Sequence, residues 1–144
     1  MNEFQKHVEE IEGSLSEEEE IYKENILDHY KYPHNKIEMK GATVSHKEVN
    51  PTCGDELTIY LKIDDNKIQD VSFIGQGCAI SQASVSMLTD EIKDKSIQEI
   101  KTMKSEDVYK LLGIPISVTR IKCALLSLKT AQGAIKNYEQ TRSY

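Results

Sequence analysis

Three cysteines stand in this 144-residue sequence, each at a point where the chain changes direction or opens a new element. Cys53 lies in Asn50-Pro51-Thr52-Cys53-Gly54-Asp55, just ahead of the strongest strand signal. Proline and glycine make that turn stiff yet unencumbered, so it can aim a thiolate and the Asp55 carboxylate at one point. Cys78 follows Gly75-Gln76-Gly77 and immediately precedes a predicted helix. There the positive end of the helix dipole and several unpaired amide protons favour the thiolate. Cys123 falls in the first turns of the last predicted helix, beside Arg120 and Lys122, whose charges are expected to favour thiolate too.

An odd count of three is too few for a disulfide framework. The plain reading is three buried thiols acting as small hydrophobes. Their junction positions argue instead for ligands or nucleophiles that converge on one site. Three thiolates and one carboxylate suit tetrahedral zinc, and three thiolates with a variable fourth ligand could hold an iron–sulfur cluster. A set one thiolate short of the usual four should hold its cluster less firmly, a fault in an electron carrier and useful in a donor.

Other candidates are weaker. His7, His29, His34 and His46 are each read as structural or solvated, because none has the i, i+4 partner of a helical metal pair. Gly75-x-Gly77 lacks the third glycine and the acidic residue of a dinucleotide site. Its glycines are expected to clear space around Cys78. No nucleophile elbow and no phosphate loop occurs.

The elements that must position the cysteines follow from periodicity. Ser16 ahead of a glutamate run reads as an N-cap, with a helix from about Glu17 to Tyr30 that Pro33 stops. Thr43–His46 is a predicted first strand. Leu57, Ile59, Leu61 and Ile63 alternate with polar neighbours as a half-buried strand should. Asp64-Asp65-Asn66 is turn chemistry, and the chain returns through Ile68, Val71 and Phe73 with a bulge expected near Gln69-Asp70. Helices are predicted from about Ala79 to Lys93, after the capping box Ser96-x-x-Glu99, from Ser105 to Gly113, and from about Val118 to Tyr138. Strands first and helices after give an α+β fold, an antiparallel sheet of about three strands with helices packed on one face.

The formal charge of −6 is uneven, because residues 1–20 carry eight glutamates and one lysine. Residues 1–19 are therefore expected to be an acidic extension, and residues 20–144 a single, nearly neutral domain. A neutral body with scattered lysines and no interleaved aromatics gives little support to a nucleic-acid role, and no nucleic-acid partner is expected. No run approaches the roughly 18 apolar residues of a membrane helix. The acidic N-terminus does not suit a secretory or transit signal, so a cytoplasmic protein with no membrane partner is expected.

Four ordered blocks carry a resemblance. Ile26-Leu27-Asp28-His29-Tyr30-x-x-Pro33-x-Asn35, Pro51-Thr52-Cys53-Gly54-Asp55, Gly75-x-Gly77-Cys78-Ala79-Ile80-Ser81-x-Ala83-Ser84 and Arg120-Ile121-Lys122-Cys123-Ala124 together resemble the U-type iron–sulfur cluster assembly scaffolds: IscU, SufU and the N-terminal domain of NifU. The resemblance covers about residues 21–138. It implies that Cys53, Asp55, Cys78 and Cys123 bind zinc or a labile [2Fe–2S] cluster. It also implies that a cysteine desulfurase delivers persulfide sulfur, with Cys53 and Cys123 as the candidate acceptors. Apo iron–sulfur proteins are the implied clients, and a homodimer that couples clusters into a [4Fe–4S] form is a further implication.

Departures from the family divide the reading. Lys122 stands where IscU members have a histidine, and with Arg120 it follows the SufU pattern, which implies a zinc-dependent sulfurtransferase as the alternative. The 45-residue step from Cys78 to Cys123 is too short for the SufU insertion. Ile116–Arg120 replaces the IscU chaperone-recognition segment, and His34 replaces the usual arginine after proline. Tyr22 falls where some members pair protomers, but with a tail ahead of it a packing role is expected. A purely structural zinc module is a third reading, and a body with its own core is expected to survive metal loss.

Overall fold

Alternation dictates the sheet. Along β2 (Asp55–Asp64) the residues Asp55, Leu57, Ile59, Leu61 and Ile63 are buried, while their even-numbered neighbours face outward. In the computed structural model, which describes residues 16–142, this strand is the centre of a three-stranded antiparallel sheet ordered β1-β2-β3. Residues 1–15, most of the expected acidic extension, and His7 with them, lie outside the described residues.

The first strand, β1 (Val44–Asn50), is longer than Thr43–His46. It pairs residue for residue from Val44 with Leu61 to Asn50 with Asp55. Backbone pairing carries the polar residues Lys47 and Glu48, which apolar patterning alone misses. The hairpin to β3 (Lys67–Gln76) turns at Asp65 and Asn66, whose φ values of 51° and 59° are those a tight two-residue hairpin demands. Lys62 pairs with Asp70 and Ile63 with Ile68, so Gln69 is the extra residue of the expected bulge.

One face of the sheet carries the helices. They are α1 (Glu17–Lys31), α2 (Ala79–Ile92), α3 (Ile97–Lys101), α4 (Ser105–Leu112) and α5 (Ile121–Thr141). Ser16 and Glu19 form a reciprocal capping box at the start of α1, as Ser96 and Glu99 do for α3. Gly113 ends α4 in the left-handed conformation, and the Tyr22 ring lies against its Cα, so Tyr22 has a packing role. The last helix begins at Ile121 rather than Val118. Val118–Arg120 is a separate 3₁₀ turn, a tighter start that follows from Pro115 upstream.

α2 is buried on nearly every side, and its small hydroxyl residues make that tolerable. The Ser84 hydroxyl donates to the Ala124 carbonyl at 2.7 Å, which draws α2 and α5 together. Beneath them Ile59, Leu61, Phe73, Leu88 and Ile135 fill the core. Phe73 is completely enclosed at 0% exposure. Phe73→Ala should therefore lower unfolding free energy by about 3–5 kcal/mol, read as a lower urea midpoint at unchanged slope.

Candidate metal centre

The turn between β1 and β2 is built on Asn50. Its carbonyl accepts the amide protons of Cys53 at 3.2 Å and Gly54 at 2.9 Å. Gly54 at φ 73° closes the turn, leaving Cys53 partly exposed and delivering Asp55 to the buried start of β2. The Asn50 side-chain amide faces the Cys123 sulfur at 3.9 Å, a long contact that ties the same turn to α5.

Cys78 is the N-cap of α2. Its backbone is extended, and its sulfur accepts the Ser81 amide proton at 3.5 Å. The Cys78 amide in turn donates to Asp55 Oδ1 at 2.9 Å, and the Ser81 hydroxyl donates to the same oxygen at 3.2 Å. A side chain at Gly77 would press into this carboxylate and the Ser81 hydroxyl, so Gly77 clears the space expected of it. Gly75, at φ 148°, performs a different task, letting β3 approach the Glu56 carbonyl.

These elements bring the sequence-predicted residues together. The Cys123 sulfur, fully buried in the first turn of α5, lies 3.3 Å from that of Cys53. One donor atom each from Cys53, Asp55 and Cys123 falls within 4.8 Å of the others. Cys78 is not one of that trio, but it is tied to it through its amide, which donates to Asp55 Oδ1, and its thiol is influenced by that of Cys123. Asp55 is 1% exposed, and its Oδ2 has no hydrogen-bond partner. A buried carboxylate oxygen without a donor is costly, and a cation beside it removes the cost. Three sulfurs and this oxygen make a donor set that fits zinc or iron.

Electrostatics separates the thiols. The hydrogen bond with Cys123 lowers the Cys78 pKa to about 7, against the opposing effect of burial and with help from the Ser81 amide. Cys123 moves the other way and stays protonated, raised by its hydrogen bond with Cys78, then by burial and by Cys53. The expectation that Arg120 and Lys122 favour a Cys123 thiolate is thus corrected. Adjacent residues on a helix do not face each other, and Lys122 is exposed while Cys123 is enclosed.

Asn50 and Ser81 are functional neighbours that cysteine-centred reading passes over. The signals were present: Asn-Pro initiates turns, and Cys78-x-x-Ser81 has N-cap-to-N3 spacing. Among the described residues, the histidines bond to groups other than the cysteines. His46 bonds Glu48 and Asn137, whereas His29 and His34 meet Ser86 and Asp90.

Comparison with known proteins places the chain in a family. The model of the NifU-like N terminal domain family matches residues 21–144. The zinc-dependent sulfurtransferase SufU of Bacillus subtilis (strain 168) is 35% identical, over 83% of this chain and 92% of its own. The iron-sulfur cluster assembly scaffold protein IscU of Thermotoga maritima is 33% identical, over 81% of this chain and 93% of its own. The crystal structure of a nitrogen-fixing NifU-like protein (N-terminal) from Brucella abortus superposes with a TM-score of 0.70 over 85% of this chain and 96% of its own. At 19% identity that match shows the shared α+β fold alone. The chain belongs to the NifU-like N-terminal domain family.

A titration tests the electrostatics. In metal-free protein, ultraviolet thiolate absorbance should rise in a step near pH 7 that Cys78→Ser abolishes, while Cys123 adds nothing near neutrality. A depressed folded-state pKa contributes stability that is fully present above the unfolded value, so the metal-free fold should lose stability as pH falls from 9.0 to about 7.

Proposed function

We propose that this chain is an iron–sulfur cluster assembly scaffold, on which a [2Fe–2S] cluster is built as cargo and from which it passes to apo iron–sulfur proteins. Cys53, Cys78 and Cys123 supply the thiolates, and Asp55 supplies the fourth, weaker ligand. The observation that carries the reading is the Asp55 carboxylate, buried between the cysteines with one oxygen satisfied and the other unpartnered. A carboxylate in place of a fourth thiolate makes a holder from which a cluster can leave.

Sulfur arrives as a persulfide on a cysteine desulfurase. A scaffold thiolate attacks the terminal sulfur, the desulfurase S–S bond breaks, and the desulfurase cysteine departs as thiolate. The scaffold is left with a persulfide, and this transfer neither gains nor loses electrons. Turning its outer sulfur into cluster sulfide then takes two electrons from an external thiol reductant, such as the cysteine supplied in excess. Cys53 is the acceptor that access favours, since it sits partly exposed on a glycine-closed turn while Cys123 is enclosed. Two protomers facing each other would let paired clusters couple into a [4Fe–4S] form.

A second reading, zinc-dependent sulfur transfer, draws on the Bacillus relative and on Lys122, which offers no imidazole beside Cys123. Zinc would be held by the same four residues, and it would keep the thiols ionised and shielded until the desulfurase docks. No helix among the described residues is long and apolar enough to cross a membrane.

Reconstitution without oxygen, using ferrous iron, cysteine and a cysteine desulfurase, tests the scaffold. The wild type should develop thiolate-to-iron charge-transfer absorption together with acid-labile sulfide, and Cys78→Ser should lose both. A colourless wild type, or a variant that keeps its colour, argues against cluster assembly. Stimulated desulfurase turnover that requires bound zinc, without sulfide in the product, would decide for the second reading. With either outcome, mass spectrometry should find the added sulfur atom on Cys53 and should lose it in Cys53→Ser.

A further inference from the structure

The loop after α1 docks on α2 through a second group of metal-ligating side chains. His29, on α1, is buried, and its Nδ1 lies 2.7 Å from the Ser86 hydroxyl. That hydroxyl also accepts the His34 amide proton at 2.8 Å, fixing the loop above the helix. His34 Nδ1 stands 2.6 Å from Asp90 Oδ2, and the two imidazole rings are 4.4 Å apart between centres. Asn35, at φ 63°, sends its side-chain amide to Thr89 and to Asp90 Oδ1, so the carboxylate is held from its other oxygen. One donor atom each from His29, His34 and Asp90 falls within 4.8 Å of the others.

We propose that His29, His34 and Asp90 form a second metal site, for a divalent transition ion such as zinc or ferrous iron. Two imidazoles and one carboxylate are the donor set such ions take, with the remaining positions open to water. The supports are those of a built site. Ser86 can accept a proton from His29 Nδ1, which leaves Nε2 as the lone pair for the ion. An ion entering between His34 Nδ1 and Asp90 Oδ2 replaces a shared proton and needs only a small spreading of the pair. The half-exposed side chains of His34 and Asp90 leave an entry path.

This site is separate from the cysteines. Asp90 lies twelve residues beyond Cys78 along the α2 segment, about 18 Å at the helical rise. The inference therefore does not rest on the scaffold reading.

Titration of metal-free, full-length protein with Zn²⁺, and in parallel with Fe²⁺ under nitrogen, tests it by imidazole ¹⁵N NMR and calorimetry. Once the cysteine centre has taken the first equivalent, a second equivalent of either ion should shift the His29 and His34 ring signals together. His34→Gln and Asp90→Asn alter half-exposed groups and should keep the wild-type circular dichroism. Each should weaken this equivalent at least about tenfold, the loss that even an outer partner of a ligand produces. Cys78→Ser should retain it, which separates failure here from failure at the cysteines. Rings that do not respond to either ion, or an affinity unchanged in both variants, would overturn the proposal.

Discussion

A buried carboxylate must be answered, and in this molecule the answer organises the site. Asp55 lies at the start of β2, almost completely out of water. Its Oδ1 takes the Cys78 amide and the Ser81 hydroxyl, both at the N-terminus of α2, where the helix dipole also favours negative charge. The contact joins the first residue of a strand to the first turn of a helix and thereby sets where the Cys78 sulfur stands. It needs a residue without a side chain at Gly77, and it leaves Oδ2 without a hydrogen-bond partner. The sheet register and the helix docking can be read as what is required to bring that one carboxylate to that one amide.

α2 is the spine along which this is arranged. Its buried faces carry Ser81, Ser84, Ser86 and Thr89, small residues that let neighbouring chains approach and whose hydroxyls find partners locally. Ser84 reaches the Ala124 carbonyl, one residue past Cys123, so helix packing and the position of the third sulfur are set by the same contact. Larger apolar residues would fill the same space without fixing register, whereas a hydroxyl bonded to a named carbonyl accepts one alignment.

Much of this was legible in the residues. Alternation along Leu57, Ile59, Leu61 and Ile63 identified the central strand. The parity slip between Ile68 and Val71 located the bulge, and the Ser16 and Ser96 caps marked two helix starts. The cysteines announced themselves by lying at junctions. What stayed hidden depends on groups distant in sequence. β1 extends to Asn50 because β2 pairs with it, and no pattern within Lys47–Asn50 requires that. The ionisation of Cys123 was misread because charge proximity along the chain was taken for proximity in space. Its neighbours across the site, Cys78 and Cys53, decide the matter. His34 and Asp90, 56 residues apart, meet only once the loop has docked.

The proton on Cys123 has a further consequence for how firmly cargo is held. A thiol must shed its proton before it can bind a metal ion, so part of the binding free energy is spent on deprotonation. Cys78 near neutrality is already partly ionised, whereas Cys123 is not. On the proposed reading, binding would begin with the ready thiolate at the helix N-terminus and the unpartnered carboxylate beside it, and would be completed by the buried thiol. In reverse, a proton returned to Cys123 would remove one anchor, and the partly exposed Cys53 would be the sulfur an incoming acceptor could reach. A fourth thiolate at position 55 would remove this asymmetry and tighten the grip at both ends. An aspartate at that position, tied through one oxygen to the Cys78 amide, keeps the centre ordered, and on the proposed reading it would leave one bond weak enough to exchange.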